Sequence, residues 1–389
     1  MTHVVERIEL ILVRLPLLRP FTTSSHSKDH LDHILVRVRD RAGVEGWGEC
    51  ASPSDPYYCP ETVETCWHLL RDFLGPALLG QPWEEPLAVG RFWAIVRGNR
   101  FAKAGLEMAC WDLAARTAGK PLAELLGGTR DKIDSGVSLG IEPTVDRLLE
   151  QVERFVAQGY KRIKMKIAPG RDVQYVSAVR ARWPDLPLMA DANSAYRLDE
   201  PAHVRALEAM DELGLMMFEQ PLADDDIVDH AKLQARLRTP ICLDESIHSA
   251  EDARKALELG SCRIINIKVS RLGGLGEARR THDLCLARGV PVWCGGMHEF
   301  GIGRAANVAI SSLPGFSLPG DVSGSDRAYR EDLVDPPIRA QAGAIPVPWQ
   351  SPGLGYEPNL ERIKRATWRE LALRDEHAPV AVPMPASAR

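Results

Sequence analysis

Five charged positions recur at near-constant spacing through the middle of the chain. Lys166, Asp191, Glu219, Asp244 and Lys268 stand 25, 28, 25 and 24 residues apart, each at the carboxyl end of a short apolar run. The runs are RIKMKI (162–167), LPLMADAN (186–193), LMMFEQ (215–220), ICLDES (241–246) and RIINIKV (263–269), with SGVSLGI (135–141) before them and VPVWCGG (290–296) after. Each is too short for a helix and most are followed by residues of helical spacing, so they read as strands of consecutive βα units. Seven such units, with FSLPGD (316–321) as a candidate eighth strand, predict a closed parallel barrel. An open doubly wound sheet is the alternative, but no Gly-x-Gly-x-x-Gly turn follows the first strand, and Gly301-Ile302-Gly303 matches only in part. Closure would bring the carboxyl ends of all the strands to one mouth, where barrels of this kind carry their chemistry.

The first third of the chain has a different pattern. Residues 4–14 and 33–39 alternate apolar and polar, and 44–49 follow a turn at Ala42 and Gly43, which predicts an antiparallel meander. Helical spacing then appears over 61–74 and 101–118, the second stretch closed by Gly119 and Pro121. Strands followed by helices predict an α+β domain over residues 1–130, ahead of a barrel over 131–325. The proline-rich segment 326–389 is expected to return across the first domain and end in a disordered tail.

Composition excludes several classes of function. Lys and Arg number 48 against 53 Asp and Glu, a net charge of −5 that argues against nucleic-acid binding through a basic surface. Glu6, Arg7, Glu9 and Arg14 interrupt the apolar amino terminus, and no apolar run approaches a membrane span. The eight cysteines contain no Cys-x-x-Cys pair and read as buried thiols of a reducing compartment, so a soluble cytoplasmic protein is expected.

Carboxylates on three adjacent strands, Asp191, Glu219 and Asp244, can supply oxygen ligands to a hard divalent cation, Mg²⁺ or Mn²⁺. The bland alternative is that each caps the helix that follows it. Lys166 and Lys268 would flank the cation from opposite sides, and like charges nearby would make a neutral lysine base accessible. Such a pair suits removal and return of an α-proton on a carboxylate substrate, with the cation stabilising the enediolate. Lys164 shares the strand face of Lys166 and adds positive charge. His26, His30 and His33 invite a zinc reading, but they fall in a Ser-rich stretch where they do not converge, and a polar lid is the simpler expectation. Glu299 and Asp321 read as structural loop carboxylates.

Lys164-Met165-Lys166, Asp191-Ala192-Asn193, Glu219-Gln220-Pro221, Asp244-Glu245-Ser246 and Lys268 together resemble the enolase superfamily, in its muconate-lactonizing-enzyme-like subgroup. Cys294-Gly295-Gly296-Met297, Glu299, Gly301-Ile302-Gly303-Arg304 and Leu318-Pro319-Gly320-Asp321 resemble more narrowly its N-acylamino acid racemase/o-succinylbenzoate synthase family. The resemblance implies an α/β fold: a modified TIM barrel, (β/α)7β, with a capping domain built from the N-terminal region and the C-terminal segment. It implies Asp191, Glu219 and Asp244 as metal ligands and Lys166 and Lys268 as the acid/base pair. Segments 19–30 and 50–60 would close over the substrate, making Phe21 and Tyr58 pocket residues or interdomain packing. Ser138, Asn193, Gly296 and Met297 match positions that contact substrate or order the site. His298 stands where the family usually carries an apolar residue, and is read as tuning the pocket edge. A small anionic carboxylate is the implied partner, with homo-oligomers, dimers or octamers, common in the family.

Two reactions fit one core. A racemase of N-acyl (N-succinyl) amino acids needs both lysines to exchange protons. An o-succinylbenzoate synthase, the syn-dehydration of menaquinone biosynthesis, needs one lysine as acid/base and can use the other as a cation. Arg271, three residues beyond Lys268, would depress its pKa and tilts the reading toward the racemase, unless it is a solvated loop cation. A barrel stripped of its chemistry and used for binding is a third reading, disfavoured because all five core residues are present.

Overall fold

A computed structural model describes residues 1–22 and 27–375, without the side chains of Phe21 and Thr22. The N-terminal alternation forms three antiparallel strands, β1 (His3–Thr22), β2 (Ser27–Asp40) and β3 (Glu45–Cys50). Leu10 pairs with Val36, and Val36 with Gly48, so alternate residues of each strand reach one buried face. β2 begins earlier than the sequence suggested. Because β1 runs for 20 residues, it offers partners to Lys28 and His30, and the histidine-bearing stretch from residue 27 onward is strand, not loop.

Two helices cover the sheet. α1 (Val63–Leu69) starts at a reciprocal cap between Thr62 and Thr65, and α2 (Arg100–Ala118) ends at Gly119, whose φ of 65° only glycine adopts freely. β3 and α2 approach backbone to backbone. A Cβ on Gly48 would lie 2.1 Å from the Gly105 carbonyl oxygen, and one on Gly105 would lie 2.8 Å from Cys50 N. α2 is buried on nearly all sides because it lies between this sheet and the rest of the chain.

The apolar runs become seven parallel strands paired in chain order: β4 (Val137–Leu139), β5 (Ile163–Lys166), β6 (Leu188–Asp191), β7 (Phe218–Glu219), β8 (Ile241–Leu243), β9 (Ile264–Ile267) and β10 (Val292–Cys294). The helices between them are α3 (Val145–Ala157), α4 (Val173–Arg182), α5 (Pro201–Asp211), α6 (Ile227–Gln234), α7 (Ala250–Leu259) and α8 (Leu275–Ala287), and α9 (Gly301–Ser311) follows the last strand. The expected eighth strand at 316–321 does not become a regular strand; Pro319 has no N–H to give a ladder. The segment still bridges the gap. Asp321 N donates to Cys294 O at 2.8 Å on one side, and Gly136 N donates to Gly320 O at 2.7 Å on the other. The fold is thus a (β/α)7β barrel closed by an irregular eighth segment.

The C-terminal segment returns to the first sheet as β11 (Thr367–Arg374), antiparallel to β1 with Leu371 opposite Leu10. The expected disordered tail beyond residue 375 lies outside the described residues. Glu49, at the end of β3 and fully buried, ties this layer to the barrel. It accepts from Phe300 N at 2.8 Å and Gly303 N at 2.7 Å, so its charge sits at the N-terminus of α9. His33 Nδ1 lies 2.7 Å from the same carboxylate, so His33 is part of this core clasp. His30 instead meets Asp29 at the surface, and His26 lies outside the described residues.

Candidate active site

Strand alternation sends Lys164 and Lys166 to the same side of β5. Lys164 Nζ lies 2.6 Å from Asp321 Oδ2, 2.9 Å from Glu219 Oε2 and 3.2 Å from Asp191 Oδ2, and 5.0 Å from the Trp293 ring centre. Burial alone would lower its pKa, but Asp321, Glu219 and Asp191 outweigh burial and hold the ammonium well above the usual lysine value. Lys166 Nζ meets Asp191 Oδ2 and Asn193 Oδ1, both at 2.5 Å. Asp191 is buried, which would raise its pKa, yet Lys166 and Lys164 hold it far below the carboxylate range. Glu219 goes the other way: burial and then Asp191 push its carboxyl upward.

Lys268 stands at the end of β9, with Nζ 2.7 Å from Asp244 Oδ2 and 3.1 Å from the Tyr58 hydroxyl. Tyr58 comes from the segment after β3, donates to Asp244 Oδ1 at 3.3 Å, and its ring centre is 4.8 Å from Lys268 Nζ. The expectation that neighbouring cations depress the Lys268 pKa needs correction. Burial does act in that direction, but Tyr58, Glu245 and Glu219 prevail and raise it. Arg271 is not a solvated loop cation either. It is buried, donates to the Ile247 carbonyl at 2.7 Å and the Asn266 carbonyl at 2.6 Å, and grips Asp244 Oδ1.

Several polar residues that the spacing did not single out complete the mouth. Asn266 Nδ2 donates to Glu219 Oε1 at 2.8 Å, and Asn193 Nδ2 to Glu245 Oε1 at 2.8 Å. Gln220 fastens the strand-end loop of β8: its Oε1 accepts from Asp244 N at 3.1 Å, and its Nε2 donates to Ser246 Oγ at 2.8 Å. Arg162 reaches Asp321 Oδ1 at 2.8 Å, so Asp321 is a charge partner of the mouth and not merely a loop carboxylate. Asn193, Gln220 and His298 hold left-handed backbones, with φ of 41°, 39° and 58°.

Part of this set borders one cavity of about 430 Å³, while Asp191, Glu219 and Asp244 lie behind the lysines and are not in its lining. Lys164, Lys166, Lys268, Ser138, Asn193, Tyr58, Gly296, Met297 and His298 all line it. Burial and the nearby Arg327 and Arg304 push the His298 imidazole down to about 3, so it is neutral at physiological pH. The Phe21 side chain is outside the described residues. In this arrangement the carboxylates are turned to their cations, and among the described residues no three His, Cys, Asp or Glu side chains draw together as a metal cluster. The donor set nonetheless fits a hard cation: three buried carboxylates on adjacent strands, with Glu245 Oε2 and Asn266 Oδ1 buried beside them without hydrogen-bond partners.

A parallel barrel under an antiparallel layer, with lysines and carboxylates converging on one mouth, defines an enzyme that takes a proton α to a carboxylate. A family model described as enolase C-terminal domain-like matches residues 147–363, and one described as mandelate racemase/muconate lactonizing enzyme, N-terminal domain, matches residues 7–127. The chain belongs to this family of the enolase superfamily. It is 54% identical to an o-succinylbenzoate synthase of Geobacillus kaustophilus, over 92% of this chain and 96% of that one. It is 46% identical to an N-succinylamino acid racemase of Thermus thermophilus, over 93% and 97%. The crystal structure of an enolase-superfamily member from Listeria innocua superposes with a TM-score of 0.93 at 38% identity, covering 96% of this chain and all of the other (100%). No helix among the described residues is long and apolar enough to cross a membrane.

Proposed function

We propose that this enzyme racemises N-succinylamino acids, exchanging the α-proton between Lys166 and Lys268. One observation carries the reading: both lysines line the same cavity, from β5 and β9, with three strands between them. Bases placed so can address opposite faces of one α-carbon. Asp191, Glu219 and Asp244 would hold Mg²⁺ or Mn²⁺, which when bound neutralises charge developing on the substrate carboxylate. In its neutral form one lysine takes the α-proton, and the other, as an ammonium, returns a proton to the opposite face. Asn193 and Asp191 orient Lys166, while Asp244 and Tyr58 orient Lys268. Ser138, Gly296, Met297 and His298 shape the cavity around the substrate, and residues 1–130 with the C-terminal segment serve as its cap.

A second reading is dehydration to o-succinylbenzoate, with proton and hydroxide leaving one face, Lys166 as the acid/base and Lys268 as a fixed cation. The raised pKa of Lys268 and the 54% identity to a relative of that name support it. The same site serves both reactions. Burial of seven of the eight free cysteines is consistent with a cytoplasmic protein, and a homo-oligomer, dimer or octamer, is the expected assembly. The test is deuterium exchange in D₂O with Mg²⁺, using each enantiomer of an N-succinylamino acid, alongside a dehydration assay on the hydroxylated precursor. Wild-type protein should label both hands. Lys166→Ala and Lys268→Ala should each retain exchange of only one hand, and survival of both in either variant would remove the two-base reading. Loss of dehydration in Lys166→Ala is expected if the second activity is present.

A further inference from the structure

Arginines without carboxylate partners gather on the β4 side of the cavity. The Arg154 guanidinium lies 4.4 Å from the Phe155 ring centre, and that of Arg327 lies 5.5 Å from the same ring. Neither makes an ion pair within 4.0 Å among the described residues. Arg327 donates instead to the Ser138 carbonyl, and Arg304, nearby on the cavity wall, donates to the carbonyls of Ser323 and Glu299. Three carboxylates also line the cavity. Asp321 is taken by Lys164 and Arg162, Glu142 acts on Arg154 only at a distance, and Glu299 pairs with no arginine among the described residues. Arg154 and Arg327 thus meet at the Phe155 ring on the wall of the cavity. Burial first, and then Arg19, lower the Arg154 pKa, while burial, with Arg304 and Arg154, outweighs the opposing pull of Tyr160 and Asp321 and pushes Arg327 down to about 10.

Ser138 pairs with Lys164 in the register of β4 and β5, so this cluster lies one strand from Lys166, on the arc of the closed barrel opposite the carboxylate-bearing strands β6 to β8. A substrate whose α-carbon sits between the two lysines can extend an arm toward it. We propose that Arg154 and Arg327 form a distal anion subsite that takes the second carboxylate of a dicarboxylate substrate. The proposal rests on the reading of the lysine pair above and adds that the free acid of a succinyl group, not the acyl chain, is what the enzyme recognises. An anion between the two guanidiniums relieves their mutual repulsion and forms charge-assisted hydrogen bonds.

The experiment compares N-succinyl and N-butyryl derivatives of one amino acid, which differ by a carboxylate against a methyl group. With the Mg²⁺-loaded full chain, kcat/KM for α-proton exchange is measured for both in wild type, Arg154→Met and Arg154→Lys. Arg154 is exposed on α3, so its replacement does not threaten the fold. Wild type should prefer the succinyl compound, and Arg154→Met should lower the succinyl-to-butyryl ratio about tenfold through KM, the effect of one charge-assisted bond. Arg154→Lys should recover part of that ratio. An unchanged ratio, or equal losses for both compounds, overturns the subsite. If wild type exchanges neither compound, the lysine-pair reading fails separately. Calorimetric binding of the two compounds then decides the subsite: Arg154→Met must weaken the succinyl compound selectively, and equal affinities reject it.

Discussion

Lys268 and Arg271 hold opposite oxygens of one carboxylate: Lys268 Nζ lies 2.7 Å from Asp244 Oδ2, and Arg271 grips Oδ1. The Ile247 and Asn266 carbonyls fix the guanidinium, so it cannot swing to solvent. The two cations thus share one counter-ion, and removing either leaves the carboxylate to the other.

Replacing Arg271 by Met leaves Asp244 to Lys268 and Tyr58, and Lys268 should then hold its proton more tightly. A rise of one pKa unit lowers the neutral fraction about tenfold. Exchange of the enantiomer that uses Lys268 as base should fall by about that factor, while dehydration, which can use Lys268 as a cation, stays within a few-fold. Deuterium incorporation followed separately for each hand checks this, with circular dichroism to verify the fold. Equal losses for both hands would count against the Asp244 linkage.

Cation removal should separate activity from folding. Lys164, Lys166, Lys268 and Arg271 already contact the buried carboxylates, so folding does not require the cation to compensate these charges. Dialysis against a chelator should abolish α-proton exchange, with recovery on adding Mg²⁺ or Mn²⁺, while Tm shifts by only a few degrees. Exchange activity and a melting curve on the same samples test it; full activity after chelation would refute the assignment of Asp191, Glu219 and Asp244.

Much of this arrangement was readable in the chain because barrel strands deliver the side chains at their carboxyl ends to one mouth. Charged side chains at the ends of apolar runs have few places to go except the mouth, so Lys166, Asp191, Glu219, Asp244 and Lys268 could be found by spacing. Strand lengths were less legible, since the polar ends leave the ladder: ICLDES contains only Ile241–Leu243 as strand. Asn266 carried a signal that spacing alone passed over, an amide inside a buried apolar run that must find a partner. Gln220 depends on a left-handed backbone that no local residue pattern announces. Arg154 looks like any solvated helix residue until Phe155, Arg327 and the cavity are assembled around it.

The contact between β3 and α2 should tolerate no side chain at Gly48. A Cβ there would lie 2.1 Å from Gly105 O and 2.7 Å from Ala109 N, and both are backbone atoms that cannot rotate away. Gly48→Ala must push α2 from the sheet, at a cost of about 1–3 kcal/mol or more. Glu49 follows Gly48 directly and clasps α9, so the displacement reaches the barrel. Chemical denaturation of Gly48→Ala against wild type measures the loss, and unchanged stability would contradict the close approach.

Glu107 on α2 gives the fold a pH dependence of predictable sign. Its buried carboxyl accepts from Gly276 N at 3.2 and 3.3 Å, and burial pushes its pKa up to about 7 despite these bonds. The unfolded chain holds the same group near 4.5. The folded state therefore prefers the protonated acid: its contribution to stability is fully present below pH 4.5 and is lost as pH rises through about 7. Across that window the loss is about 3 kcal/mol, from about 1.4 kcal/mol per pKa unit. Glu107→Gln keeps an acceptor for Gly276 and cannot ionise, so it should match wild type near pH 4.5 and exceed it at pH 8. Melting temperatures of both proteins over this range decide the matter. A constant difference between them, independent of pH, would mean that Glu107 titrates as it does in the unfolded chain.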